Sequence, residues 1–256
     1  MTTKDKKKAA LYITIGIIGF ILLTYHTIRF ELVAMKNINL YYPNNTNNYL
    51  GGLNFLSYFT FLSNIFVNIY FIVYGLSKLN ISICNKIADN TYIQGIITTN
   101  MIITGVVYCF ILRPFLESYP WDGKMAYANI VNFYNHVVTP IIITYLWLTP
   151  HTNKLVNKKL TTMTLIFPII YLIFSLIRGK YITEEFYPYP FLNPQQIWHN
   201  LVKGYAYNEL LAYILCIFFI LLIATMFIIT SKVLIILRNK IIDKKANISK
   251  NINTIN

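Results

Sequence analysis

Six stretches of mostly apolar sequence, at 9–35, 53–76, 93–116, 125–148, 160–177 and 210–237, leave this chain few ways to fold. Crossing the hydrocarbon core of a bilayer takes about 20 such residues as a helix, so each stretch reads as a membrane span with ends good to about 2–4 residues. Composition agrees: 56% of the residues are hydrophobic and 12% charged, against about a quarter charged in soluble domains. The expected fold class is therefore all-α, a polytopic membrane protein of six transmembrane helices forming one domain over 1–256. Disorder and a secreted disulfide scaffold are excluded, since Cys84, Cys109 and Cys216 are widely spaced and form no framework. The first stretch follows Lys4, Lys6, Lys7 and Lys8. It outruns a signal-peptide core and no small-residue cleavage site follows, so it reads as a retained anchor. The sixth outlasts the bilayer, and its end, with Lys232 and Arg238, reads as an emerging basic helix.

Charge sets the orientation. The tail at 1–8, the connections after the second and fourth spans, and the C-terminal region with its 238–256 tail hold fifteen of the 22 Lys and Arg residues. The acids on that side are Asp5, Asp89 and Asp243. The other side is nearly balanced, with Arg29, Lys36, Arg113, Lys124, Arg178, Lys180 and Lys203 set against six acids. The positive-inside rule places both termini in the cytoplasm of a multi-pass cell-membrane protein. The formal +13 is thereby a topology signal, with anionic inner-leaflet lipid as the partner of the basic tails. No nucleic-acid partner is needed.

The longest connection, 179–209 on the outer side, contains EEFYPYPFLNPQQIWHN. Its Tyr-Pro pairs favour extended backbone and forbid a long helix. Its aromatic rings suit the headgroup level, so it reads as an ordered outer rim. No internal repeat supports an inverted-repeat transporter.

Polar residues inside the spans carry the functional information. Ser57, Thr60, Asn64 and Asn68 fall within about 80° of one helix face, and so do Asn129, Asn132, His136 and Thr139. Asn100 and Thr104 add a third pair, four apart. Such side chains must face one another or a wet cavity. Singly, the asparagines read as interhelical glue, worth about 0.6 kcal/mol per contact. His136 differs, because an ionisable residue inside a span is a functional candidate by default. It lies about 16 Å below the outer end of its helix, and Thr60 about 10 Å below the end of its own. A hydroxyl within reach of an imidazole is the minimum of a nucleophile–base pair. A buried histidine bonded to asparagine is equally an ordinary structural unit.

Elsewhere the chemistry is sparser. His26, Arg29 and Glu31 cluster at the outer end of the first span, where snorkelling to the headgroups accounts for them; the alternative turns His26 or Glu31 inward. Arg113 and Arg178 either anchor outer helix ends or bind an acidic headgroup or substrate carboxylate. Pro168 reads as a kink in the fifth span. No metal site is expected, since no two histidines share an i, i+4 spacing and no cysteine pair supports them. No cofactor is implied.

YFTFLSN at 58–64, NFYNHVVTP at 132–140 and IRGKYITEEFYPYPFLN at 177–193 resemble a prokaryotic family of six-span membrane proteins. That family is similar in turn to the eukaryotic androgen-induced protein family, which hydrolyses fatty-acid esters of hydroxy fatty acids. The resemblance covers nearly the whole chain. It implies an intramembrane threonine nucleophile partnered by a histidine, roles that fall on Thr60 and His136. The sequence around the threonine and the long outer loop depart from the eukaryotic pattern, which bears on the substrate more than on the chemistry.

The reading that follows is an intramembrane hydrolase of lipid esters opening to the outer leaflet. Thr60 is its nucleophile and His136 its base, with Asn64 or Asn132 as oxyanion donors and Asn129 or a backbone carbonyl orienting the imidazole. The alternatives are a non-enzymatic substrate-binding component of a transporter and a structural membrane factor. The small residues of the first span, Ala9, Ala10, Gly16 and Gly19, make no convincing docking surface for such a component.

Overall fold

The computed structural model describes residues 2–34, 56–113, 126–182, 187–202 and 204–255. Among these every regular element is helical. In chain order they are α1 (Thr3–Ala34), α2 (Phe59–Ser77), α3 (Ser82–Ala88) and α4 (Thr91–Val106), which continues as a π-helical turn over Val107–Leu112. Next come α5 (Ala126–Phe133), a second π turn (Tyr134–Val138) and α6 (Thr139–Leu148). Then follow α7 (Lys159–Tyr181), a 3-10 turn (Pro190–Leu192), α8 (Pro194–Leu201) and α9 (Glu209–Ile255).

Among the described residues five helices are long and apolar enough to cross a membrane: α1, α2, α4 with its π continuation, α7 and α9. The fourth expected span is helical from Ala126 to Leu148 without interruption, but in three segments. At 47 residues, α9 is about 70 Å long, more than twice the hydrocarbon thickness. Pro168 lies within α7, which continues past it.

Burial is inverted relative to a soluble bundle. Ile166, Ile169, Ile170 and Ile173 of α7 and Ile214, Ile217, Phe218 and Leu221 of α9 are exposed, while Ser63, Asn64, Asn68, Thr98, Thr99, Asn100, Thr104 and Thr139 are buried. An apolar exterior around a polar interior is what lipid selects, because only the interior offers hydrogen-bond partners. The apolar part of the interior forms three clusters. One joins Tyr12, Val67, Phe71, Met101 and Ile143. A second, on the Phe59 side of α2, joins Phe59, Ile103, Tyr171 and Phe227 to Tyr189 and Leu192 of the 179–209 connection. A third joins Trp147, Val156, Leu160 and Leu234.

Small residues bring α1 and α2 together. A Cβ at position 16 would stand 2.6 Å from the Asn68 carbonyl oxygen, and one at 19 would collide with the Asn68 amide. Gly75 meets the backbone of Ala9 in the same way. These small positions therefore serve an internal helix contact. The 179–209 connection carries an ordered segment: Asn193 caps α8, its Oδ1 accepting from the N–H groups of Gln195 (2.9 Å) and Gln196 (3.1 Å).

Candidate functional site

Two of the rarest backbone features in proteins, the π turns after α4 and before α6, meet through their side chains. Tyr108 of the first stacks on His136 of the second, with ring centroids 3.7 Å apart and planes 20° from parallel. Close approach of the backbones is possible because residue 105 is glycine: a Cβ there would stand 2.8 Å from the His136 carbonyl oxygen. Single π turns inside α-helices occur frequently at functional sites.

Pro140 explains part of the local backbone. In the π turn the Thr139 N–H bonds to the Tyr134 carbonyl, five residues back. Continued by one residue, that register would pair the Asn135 carbonyl with residue 140, a proline without an N–H. Side chains take over. Asn64 Nδ2 donates to Asn135 O at 3.1 Å, and Thr139 Oγ1 lies 3.1 Å from the same oxygen. Thr139 Oγ1 also lies 2.9 Å from Asn64 Oδ1. The other Asn64 donor contact is the Thr60 carbonyl at 2.9 Å. Asn64 thus ties the Thr60 turn of α2 to the residue preceding His136.

His136 is 8% exposed. Its Nδ1 lies 2.9 Å from the Asn132 carbonyl oxygen. A carbonyl only accepts, so Nδ1 carries the proton, and in the neutral ring Nε2 presents a lone pair. No hydrogen bond joins that nitrogen to a described residue. A backbone carbonyl, that of Asn132, therefore orients the imidazole, one of the two arrangements expected.

Thr60 is half-buried at the start of α2. Tyr58, at the helix cap, makes no side-chain cap bond. Instead the Thr60 N–H donates to the Tyr189 hydroxyl at 3.2 Å, reaching across 129 residues to the 179–209 connection. Burial pushes Tyr189 up to about 12, so it keeps its proton at neutral pH. Thr60 and His136 are thus on neighbouring elements joined through Asn64, and no hydrogen bond runs directly between them.

The remaining expected residues lie at varied distances from this centre. Asn129 and Asn132 are half-buried on α5. Arg113 is exposed at the end of the first π turn, its N–H bonded to the Tyr108 carbonyl. Arg178 is buried in the last turn of α7, next to Gly179, on which Tyr187 sits. The side chains of Arg29 and Glu31, on α1, lie outside what is described. Among the described residues no group of three His, Cys, Asp or Glu side chains could hold a metal ion.

Sequence reasoning passed over Tyr108, Asn135 and Tyr189. Asn135 sits about 100° from His136 on an ideal α-helix and about 40° outside the edge of its stripe, and the only hint of altered register was the proline five residues on. Comparison of the chain with known protein families, curated proteins and solved structures finds no match.

Proposed function

We propose that this chain is a six-span membrane protein with both termini in the cytoplasm, and that it hydrolyses lipid esters at a Thr60–His136 centre facing the outer leaflet. The observation that carries the reading is the His136 imidazole: Nδ1 held by the Asn132 carbonyl, Nε2 without a partner among the described residues, in a π turn tied through Asn64 to Thr60. That is the tautomer a general base requires. The span that brings the five to six, fourth in chain order, is the continuous helical run through α5, the π turn and α6, which at 23 residues is about 34 Å long. The resemblance to the androgen-induced protein family supports the same pair of residues.

In the reaction, the Thr60 hydroxyl approaches His136 Nε2. Its oxygen adds to the acyl carbonyl as the proton passes to Nε2. The carbon–alkoxy bond then breaks, and the imidazolium returns the proton to the departing alcohol. Water, deprotonated by the same nitrogen, releases the acid from the threonyl ester and restores the hydroxyl. Of the two expected oxyanion donors the Asn132 amide is the one left available, because both Asn64 N–H groups are used on the Thr60 and Asn135 carbonyls. The substrate enters sideways from the lipid, and anionic lipid of the inner leaflet meets the basic tails.

The missing direct bond between Thr60 and His136 favours a second reading, a substrate-binding membrane protein without turnover. A lipid-like fluorophosphonate probe separates the two. Labelling that maps to Thr60, persists in Thr60→Ser and vanishes in Thr60→Ala and His136→Ala is the hydrolase outcome. Unlabelled wild-type protein, beside a threonine lipid hydrolase that reacts, leaves the binding reading.

A further inference from the structure

Far from Thr60 in sequence, where α4, α6 and α9 meet the 149–158 connection, a cation is enclosed without a counter-charge. Arg238 of α9 is 0% exposed. Its Nη1 donates to Gln94 Oε1 at 2.9 Å and lies 3.5 Å from the Trp147 carbonyl, and its Nη2 lies 3.4 Å from Thr152 Oγ1. The guanidinium stands over the Trp147 ring, 4.4 Å from its centroid. Every one of these partners is neutral. The single ion pair among the described residues, His151 with Asp89, lies next to Thr152 and gives the guanidinium no hydrogen bond. An ionised group in a low-dielectric interior is costly unless an opposite charge meets it.

The surrounding hydrogen bonds show what kind of group is missing. Trp147 Nε1 is used on the Leu234 carbonyl (2.9 Å). Asn239 is used twice, accepting from Val156 N–H and donating to Val156 O. Two buried donors are left over, Arg238 Nε and Gln94 Nε2, and they belong to side chains already bonded to each other. A surplus of donors around an uncompensated cation calls for an acceptor carrying negative charge. Complete enclosure restricts it to a small one.

We propose that Arg238 and Gln94 form a binding site for one small, singly charged inorganic anion of the halide class, completing the contact of α4 with α9. Because the anion binds only the folded protein, stability rises with its concentration. The probe is chloride, exchanged against gluconate, which is too large to be enclosed, at constant ionic strength from about 10 mM to about 500 mM. The readout is the thermal midpoint of the full chain purified in detergent.

In wild type the midpoint climbs with chloride and stays flat when gluconate replaces it. Arg238→Gln loses the chloride response. Gln94→Glu supplies a carboxylate of its own beside the guanidinium, so it holds its midpoint in gluconate and no longer responds to chloride; it tests the site even where Arg238→Gln does not fold. A wild-type midpoint indifferent to the choice of anion overturns the site, and so does a full chloride response in Gln94→Glu. A gain produced by added phosphatidylglycerol but not by chloride assigns the donors to a headgroup phosphate and overturns the free-anion source.

Discussion

Asn64 holds together two stretches of backbone, one of which proline has left short of a donor. Its Nδ2 reaches the Thr60 and Asn135 carbonyls, and its Oδ1 accepts from the Thr139 hydroxyl. In Asn64→Leu the shape is nearly kept, but the Asn135 carbonyl loses its amide donor while Pro140 still offers none, and the Thr139 hydroxyl loses its acceptor on Asn64. A buried polar group left unmet costs about 1–3 kcal/mol, so the variant is expected to unfold in detergent at a correspondingly lower midpoint. Pro140→Ala restores an N–H five residues after Asn135, in the register already used by Thr139 and Tyr134. Combined with Asn64→Leu it should recover part of the loss, giving a coupling of about 0.5–3 kcal/mol in a double-mutant cycle. Strict additivity in that cycle would mean that Asn64 acts through packing alone.

At the scale of helices and their connections, the connections after α3 and α6 are joined by a His151–Asp89 contact that makes the fold sensitive to acid. His151, in the connection after α6, contacts Asp89 at the end of α3 with Nε2 2.8 Å from the carboxylate, and its ring meets Tyr74 of α2 edge-on. Burial is the largest influence on His151 and lowers its pKa; nearby Lys78 pushes the same way, and the Asp89 hydrogen bond only partly opposes them. The folded state therefore holds fewer protons on this ring than the unfolded chain. Its contribution to stability is complete above the unfolded value of about 6.5 and is lost as pH falls from there through the lower folded value. The slope of melting midpoint against pH below about 6.5 should shrink in His151→Gln; an unchanged slope would remove His151 as its source. The sequence had announced that connection only as solvated and basic. What it announced well were the helices, because apolar length is a one-dimensional property, and the stripes containing Asn64, Asn68, Asn100 and Thr139, because helical phase is nearly one. Partners set by a change of phase were hidden: Asn135 turns inward where the helix widens. The Tyr189 cap on Thr60 was hidden by sequence distance, since no local pattern connects positions 129 residues apart.

For the whole molecule the deciding property is parity. An even number of crossings puts the two ends of the chain on one side of the membrane, and an odd number puts them on opposite sides. Five described helices qualify as spans by length and composition, so the topology turns on 126–148. That run keeps helical backbone throughout, exposes Ile130, Phe133, Ile141 and Tyr145, and buries Asn135, His136 and Thr139. Its length of about 34 Å exceeds the hydrocarbon core of about 30 Å. Charge argues the same parity independently, since Lys4, Lys6, Lys7 and Lys8 at one end and Lys240, Lys244 and Lys245 at the other should share the cytoplasmic side. Single cysteines settle it in a background with Cys84, Cys109 and Cys216 replaced by alanine: Thr2→Cys, Lys245→Cys and Tyr205→Cys, challenged on intact cells with a membrane-impermeant maleimide. Positions 2 and 245 are expected to label only after the membrane is opened, and 205 before. Labelling of just one terminus on intact cells would make the number of crossings odd, turn 126–148 into a segment that does not span, and remove the outer-leaflet depth assigned to His136. Labelling of 2 and 245 with 205 protected would keep six crossings but invert them, bringing the Thr60–His136 centre to the inner leaflet.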